Sequence, residues 1–299
     1  MITSKMSPQN LILRQCNLCG EQKAIRFLYY KAHYAIVQCQ SCSLIYTNEI
    51  PSRAELNTIY SSDFFTVGAK FTDSPTGGGH GNAEQRVKQL LTLADIGLDK
   101  WLDVGCATGN FILAAKPFVT EIYGIEISDY AVSQAKRRGL SNLVVGDFLE
   151  VELRKDQFDM VSMWDVIEHV TDPMANLRKA FQILKPGGCL ALSTGDIDSK
   201  IARLTGRFWH LMIPPRHLYF FSRSTIELML AANDFSSVSI QYPGKRVPLD
   251  FMLWKLTNLF VPRASSKVVG ITTLLRLGKI APVINLGDIM TIYARKPLA

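Results

Sequence analysis

The stretch Trp101-Leu102-Asp103-Val104-Gly105-Cys106-Ala107-Thr108-Gly109-Asn110 decides how this chain folds. An apolar run carries an acid two residues before the first glycine, and Gly105 and Gly109 lead into a predicted helix over Phe111 to Ala115. This is the pattern of a strand feeding a tight turn. Glycine lets backbone approach a ligand closely, and N–H groups at the helix start can face it. The spacing is not the G-x-G-x-x-G of dinucleotide sites, and no Lys-Ser/Thr pair follows to grip a nucleoside triphosphate.

Outward from this loop the chain alternates strand and helix. A helix is predicted over 84–96, strands over 101–104 and 120–125, and a helix over 129–138 that stops at Gly139. Strands follow at 142–145 and 158–163, and Asp172-Pro173 opens a helix with a cap residue and a proline at its first position. Lys185-Pro186-Gly187-Gly188 ends that helix before a fifth strand, Cys189 to Ser193. Ser224 and Glu227 read as a capping box for a helix to Ala232, and strands at 236–241 and 289–294 complete the series. Such alternation predicts a parallel sheet with helices on both faces. Insertions at 196–222 and 243–287 should emerge at the carboxyl edge, where open α/β sheets bind ligands.

Acids recur at the strand ends: Asp103, then Glu126, then Asp147 in Gly146-Asp147-Phe148. With the glycine loop they make residues 100–195 resemble class I S-adenosylmethionine-dependent methyltransferases. The resemblance implies a Rossmann-like α/β fold of seven strands, six parallel and the seventh antiparallel. It implies a cofactor site of Asp103, Gly105, Cys106, Ala107, Gly109, Glu126, Ile127, Asp147, Phe148 and Trp164. In it Glu126 takes the ribose hydroxyls, Asp147 the adenine amino group with Phe148 against the ring, and Asp103 the methionine amino end. Trp164 and Asp165 face the methionine end and the acceptor. Solvated acids at loop ends and a Trp164 that merely packs are the plain alternatives.

For the acceptor, Trp164-Asp165-Val166-Ile167 stands where enzymes acting on base amines carry Asn/Asp-Pro-Pro-Tyr, and no Pro-Cys nucleophile is present. Asp165-Val166-Ile167-Glu168-His169-Val170-Thr171-Asp172-Pro173 resembles small-molecule O- and C-methyltransferases, ubiquinone-pathway enzymes among them. Pro215-Arg216-His217-Leu218-Tyr219-Phe220-Phe221-Ser222 resembles enzymes of polysaccharide and glycolipid synthesis. A neutral imidazole can accept a hydroxyl proton, so His217 and His169 are the candidate catalytic bases. A structural bridge is the other reading of His169, and His210 reads as local structure.

Four of six cysteines form Cys16-x-x-Cys19 and Cys39-x-x-Cys42. Two such pairs in a chain read as cytoplasmic favour a tetrahedral structural Zn²⁺ over disulfides. The expected organisation is a zinc ribbon at 1–46, a linker or lid at 47–83, and the methyltransferase domain at 84–299. Ser52 and Glu55 form a capping box in the linker, and Gly77-Gly78-Gly79-His80-Gly81 marks it as flexible. A ribbon ahead of such a core also resembles the sugar C-methyltransferases.

The net charge is +7, and residues 241–280 hold seven bases against the single acid Asp250. Interleaved aromatics there suit peripheral contact with an anionic inner-membrane face through 247–283, or a hairpin packed on the core. No window reaches the roughly 20 apolar residues of a spanning helix. The leading expectation is an O- or C-methyltransferase acting on a sugar, glycolipid or isoprenoid-linked small molecule. The alternatives are an RNA methyltransferase gripping RNA through the ribbon, and a non-catalytic cofactor-binding scaffold. Only Lys23, Arg26 and Lys31 lie between the cysteine pairs, which argues against nucleic acid.

Overall fold

The computed structural model describes residues 13–52, 55, 58, 78–93, 95–260 and 280–298. The chain opens with β1 (Ile25–Lys31), β2 (Tyr34–Cys39) and β3 (Ile45–Thr47), then α1 (Gly78–Leu91). The alternation follows as β4 (Lys100–Val104), α2 (Asn110–Ala115), β5 (Glu121–Glu126), α3 (Asp129–Arg137), β6 (Leu143–Val145), β7 (Phe158–Trp164), α4 (Pro173–Ile183) and β8 (Leu184–Gly195). The first insertion carries α5 (Lys200–Thr205) and β9 (Tyr219–Phe220), and α6 (Arg223–Ala231) and β10 (Ser236–Gln241) come next. The second insertion holds β11 (Lys245–Arg246), α7 (Leu249–Phe260) and β12 (Val283–Ile284), before β13 (Ile289–Arg295) closes the fold.

Local chemistry explains most boundaries. Ser128 caps α3 by accepting from the Ala131 N–H, and Gly139, at φ +85°, ends it. Asp172 caps α4 by accepting from Ala175, with Pro173 at the first helical position. The seven-stranded sheet runs β10-β13-β8-β7-β4-β5-β6. Neighbours from β8 to β6 are parallel, and β13 is antiparallel to both β8 and β10. This is the expected arrangement of six parallel strands and one antiparallel.

Four features depart from the sequence reading. The first helix starts at Gly78 and ends at Leu91, so 78–82 of the glycine segment is helical. Tertiary contact overrides weak propensity there: Asn82 and the Arg246 backbone exchange hydrogen bonds of 3.2 and 2.8 Å. A Cβ at Gly81 would meet the Arg246 side chain at 2.6 Å, so glycine permits the approach. The remaining linker, 59–77, lies outside the described residues. Second, β8 begins at Leu184, because the turn at 185–188 hydrogen-bonds to Lys296 through Gly187 N–H and Gly188 O. Its register on β7 jumps from Phe158↔Leu184 to Met160↔Cys189. Third, α6 is capped by Ser222 with Thr225, and Glu227 instead pairs with Arg223 at 3.0 Å. The Ser52–Glu55 box forms as read.

Fourth, the N-terminal strands are not a separate module. They form a sheet of order β1-β2-β3-β9, with Ile45↔Phe220 and Tyr46↔Tyr219 paired. One core cluster runs from Cys16, Val37 and Tyr46 through Leu218 and Phe221 to Met163 and Ile292. Among the described residues no helix is long and apolar enough to cross a membrane.

Loss of an N-cap hydroxyl costs about 1 kcal/mol. Ser222→Ala should therefore lower the unfolding free energy by about that amount, and Ser224→Ala by less than about 0.5 kcal/mol, in urea titrations. Equal losses would move the cap back to Ser224.

Candidate active site and cysteine centre

The glycine loop between β4 and α2 has left-handed residues at Gly105 (φ +70°), Ala107 (+47°) and Gly109 (+83°). A Cβ at Gly105 would meet Val166 Cγ2 at 2.5 Å, and one at Gly109 would meet Leu140 Cδ1 at 2.3 Å. Both glycines are thus demanded twice, by conformation and by their neighbours. Several of the loop N–H groups are engaged within the protein. Gly105 and Cys106 donate to the Ile125 carbonyl at 2.8 and 3.2 Å, and Ala107 donates to Glu126 Oε2 at 2.9 Å.

Glu126 therefore braces the loop against the end of β5, with Oε1 accepting from the Ser128 N–H at 2.9 Å. Burial raises its pKa, against the pull of those donors. Asp103 is buried, accepts from Ser162 Oγ at 2.6 Å, and is pushed up to about 7 by desolvation. Cys106 is buried, and desolvation holds its thiol far above the usual range. Ile127 is 51% exposed beside Glu126. Asp147 lies two residues beyond β6, the edge strand, and accepts from the Leu149 N–H at 2.8 Å. Phe148 lies in the core, with Lys179 Nζ 5.1 Å from its ring centre. Trp164 packs 5.3 Å from Phe111 under the Arg86 guanidinium at 4.6 Å, and its buried Nε1 has no acceptor.

Asp165, left-handed at φ +56°, is an ion-pair hub. Arg86 of α1 reaches it at 2.8 Å, Lys245 of β11 at 3.1 Å, and Ser193 Oγ donates at 2.9 Å. Burial alone would raise its pKa, but Lys245 and Arg86 outweigh that and hold the carboxylate well below the usual range. Its partners lie 79 and 80 positions away, so no local pattern announces them.

Three residues later the chain turns through Glu168 and His169, where the first insertion returns with His217. The two imidazoles sit edge to face, 4.7 Å apart. His169 Nδ1 lies 2.8 Å from the Arg216 carbonyl, which can only accept, so the proton belongs on Nδ1 and the lone pair on Nε2. Burial lowers the pKa of His169 and, with His169 alongside, pushes His217 down to about 3. Glu168, which the sequence reading passed over, is 4% exposed with Oε2 unpartnered. Desolvation and the Asp165 charge push it up to about 8. The ligating atoms of Glu168, His169 and His217 all lie within 4.8 Å of one another, close enough to share a proton or a cation. His210 pairs with Asp288 of the distant segment before β13, at 3.5 Å.

The four N-terminal cysteines converge as their spacing predicts. Sγ of Cys16 lies 3.5 Å from Cys42, Cys19 lies 3.5 Å from Cys39, and all four fall within 4.8 Å. Tetrahedral Zn–S bonds of about 2.3 Å would set sulfurs about 3.8 Å apart. None is in a disulfide. Burial pushes Cys16 up to about 11 and raises Cys42 as well, whereas at Cys39 hydrogen bonds outweigh burial and lower the thiol.

A family model described as a methyltransferase domain matches residues 79–240, which contain the whole glycine loop and its acids. The chain belongs to that family. It carries a methyltransferase domain. Its curated relatives include the ubiquinone biosynthesis O-methyltransferases of Pseudomonas aeruginosa (strain LESB58) and Pseudomonas putida (strain GB-1). Each is 27% identical over 146 residues, covering 46% of this chain and 63% of the relative. The match thus spans less than two thirds of those proteins. A SAM-dependent methyltransferase from Thermotoga maritima superposes with a TM-score of 0.52 at 22% identity, over 81% of this chain and 97% of that one. Phosphoethanolamine N-methyltransferase 2 of Haemonchus contortus, solved with S-adenosyl-L-methionine, gives 0.56 at 17%, over 85% and 62%. These structures share the methyltransferase fold.

Asp103 and Glu168 have pKa values raised from 3.8 and 4.5 to about 7 and about 8. Across that window the folded chain holds protons the unfolded chain has released, so stability falls as pH rises. The double variant Asp103→Asn/Glu168→Gln should show a smaller fall in urea midpoint between about pH 5 and 8 than the parent. An equal fall would mean that these carboxyls do not titrate there.

Proposed function

We propose that this methyltransferase acts on an oxygen or carbon of a sugar-, glycolipid- or isoprenoid-linked acceptor. The observation that carries the reading is the Glu168, His169 and His217 cluster, because a hydroxyl or acidic carbon must lose a proton and an amine need not. S-adenosylmethionine, when bound, supplies an already activated methyl group. The residues present fit it: Glu126 for the ribose hydroxyls, Asp103 for the methionine amino end, Ile127 and Asp147 on the adenine side, and the unpartnered Trp164 N–H at the end of β7.

The protein's part is alignment and proton removal. His217 accepts the acceptor's proton, and His169 holds its orientation through the edge contact. A base whose pKa rests near 3 needs an anion beside its charged form, and Glu168 supplies it once ionised. Lys245 and Arg86 add positive charge at the mouth, which suits a phosphorylated acceptor. A lipid-linked acceptor would approach along 247–283, of which 261–279 lies outside the described residues. Zn²⁺ in the four-cysteine centre is part of the same proposal.

Labelled methyl from S-adenosylmethionine should appear in the polar-lipid or nucleotide-sugar fraction of cells. Label in RNA instead would overturn the acceptor class. His217→Gln should lower turnover by about 10²-fold or more with cofactor affinity unchanged, and Glu126→Ala should weaken calorimetric binding of S-adenosylhomocysteine by about tenfold or more. Metal analysis should return about one zinc per chain.

A further inference from the structure

The two cysteine knuckles touch the two segments that carry the histidines. Asn17, inside Cys16-x-x-Cys19, donates from Nδ2 to Asp172 Oδ1 at 2.9 Å and accepts from the Met174 N–H at 3.1 Å. It is built into the cap of α4, a few residues beyond His169. The second knuckle, Cys39 to Cys42, leads directly into β3. There the Thr47 N–H donates to the Leu218 carbonyl at 2.8 Å, and the Leu218 N–H donates to the Glu168 carbonyl at 2.8 Å. Leu218 is the neighbour of His217, and Glu168 is the neighbour of His169.

A clamp reinforces the second link. Arg14 donates to Tyr219 Oη and to the Thr47 carbonyl, both at 2.8 Å, and Tyr219 Oη donates to the Thr171 carbonyl at 2.9 Å. Cys16 and Cys39 belong to the same core cluster as Leu218, Tyr219 and Ile167. Among the described residues the ribbon makes no hydrogen bond to Asp103, to loop 105–109 or to Glu126. Its hydrogen bonds to the catalytic domain run to the histidine side, while the shared apolar core extends as far as Val104 and Ile125.

We propose that the four-cysteine centre, by cross-linking its two knuckles, sets the separation of His169 and His217, with Asn17 and Thr47 as the positioning residues. This rests on the reading of those histidines as the acceptor-side base and its support. A metal that ties knuckle to knuckle ties the Asp172–Met174 segment to the Leu218 segment, whereas glycine-loop geometry is kept by Glu126 and Ile125.

The test is hydrogen exchange on the full chain, metal-loaded and chelator-stripped, beside calorimetry with S-adenosylhomocysteine. Stripping should speed exchange at 172–176 and 217–219 by about tenfold or more, while 103–109 and 122–128 change by less than about twofold. Changes confined to 13–47, or equal changes in the glycine loop, would overturn the proposal. Because stripped protein is prone to wider unfolding, Asn17→Ala provides a second arm with all four thiolates in place. It should keep its zinc and cofactor affinity yet shift the imidazole ¹⁵N signals of His169 and speed exchange at Met174. Unchanged imidazole signals would also overturn the proposal. Failure of the loaded parent to bind S-adenosylhomocysteine would fail the cofactor assignment alone and leave the exchange pattern to be judged separately.

Discussion

Four buried or half-buried carboxylates crowd one edge of the sheet, and each needs a partner before the fold can tolerate it. Glu126 finds two backbone N–H groups and so welds the glycine loop to β5. Asp103 finds a single hydroxyl, Ser162, and keeps its proton to about pH 7. Asp165 recruits two cations from elements almost 80 residues away on either side. Glu168 is left with an unpartnered oxygen. Glu168 is the least satisfied of the four. Groups that a resident partner completes are quiet, and the group left short is the one that ligand or proton must complete.

The same accounting explains how the insertions are held. Lys245 and Arg86 meet on Asp165, so the strand that opens the second insertion and the helix that precedes the glycine loop are drawn over the end of β7. Gly81 lets Arg246 lie against α1 without a side chain between them. A strongly charged cluster at this position also raises the local potential around an incoming anion. Trp164 completes the arrangement from below, tilted against Phe111 with the guanidinium above its ring.

Much of this was legible in the residues. Strand positions, the loop glycines and the four cysteines follow from period, turn chemistry and spacing, which are local, and the antiparallel last strand follows from the family resemblance. What was not legible depends on distant partners. The helical state of 78–82 comes from Arg246, the hydrogen-bonded turn at 185–188 from Lys296, and the salt-bridge hub from Arg86 and Lys245. Ser222 and Ser224 both satisfy the rule for a cap, and only the burial of Thr225 decides between them. Glu168 was hidden by its setting, since an acid in a polar turn looks solvated until the first insertion folds over it.

The incorporation of β9 into the ribbon's sheet is the departure with the widest consequence. A two-residue strand contributes little by itself, since isolated short pairings are marginal in water. Here it is flanked by the Tyr46–Tyr219 contact, the Arg14 clamp and the continuous apolar core beneath Leu218 and Phe221. The ribbon therefore cannot shift without dragging the insertion that bears His217. In the proposed function, cofactor contacts fall to the strand ends and loops of the parallel sheet, and acceptor contacts to elements that the ribbon holds in place. Such a division lets one side vary with the acceptor while the glycine loop and its acids stay as methyl transfer requires.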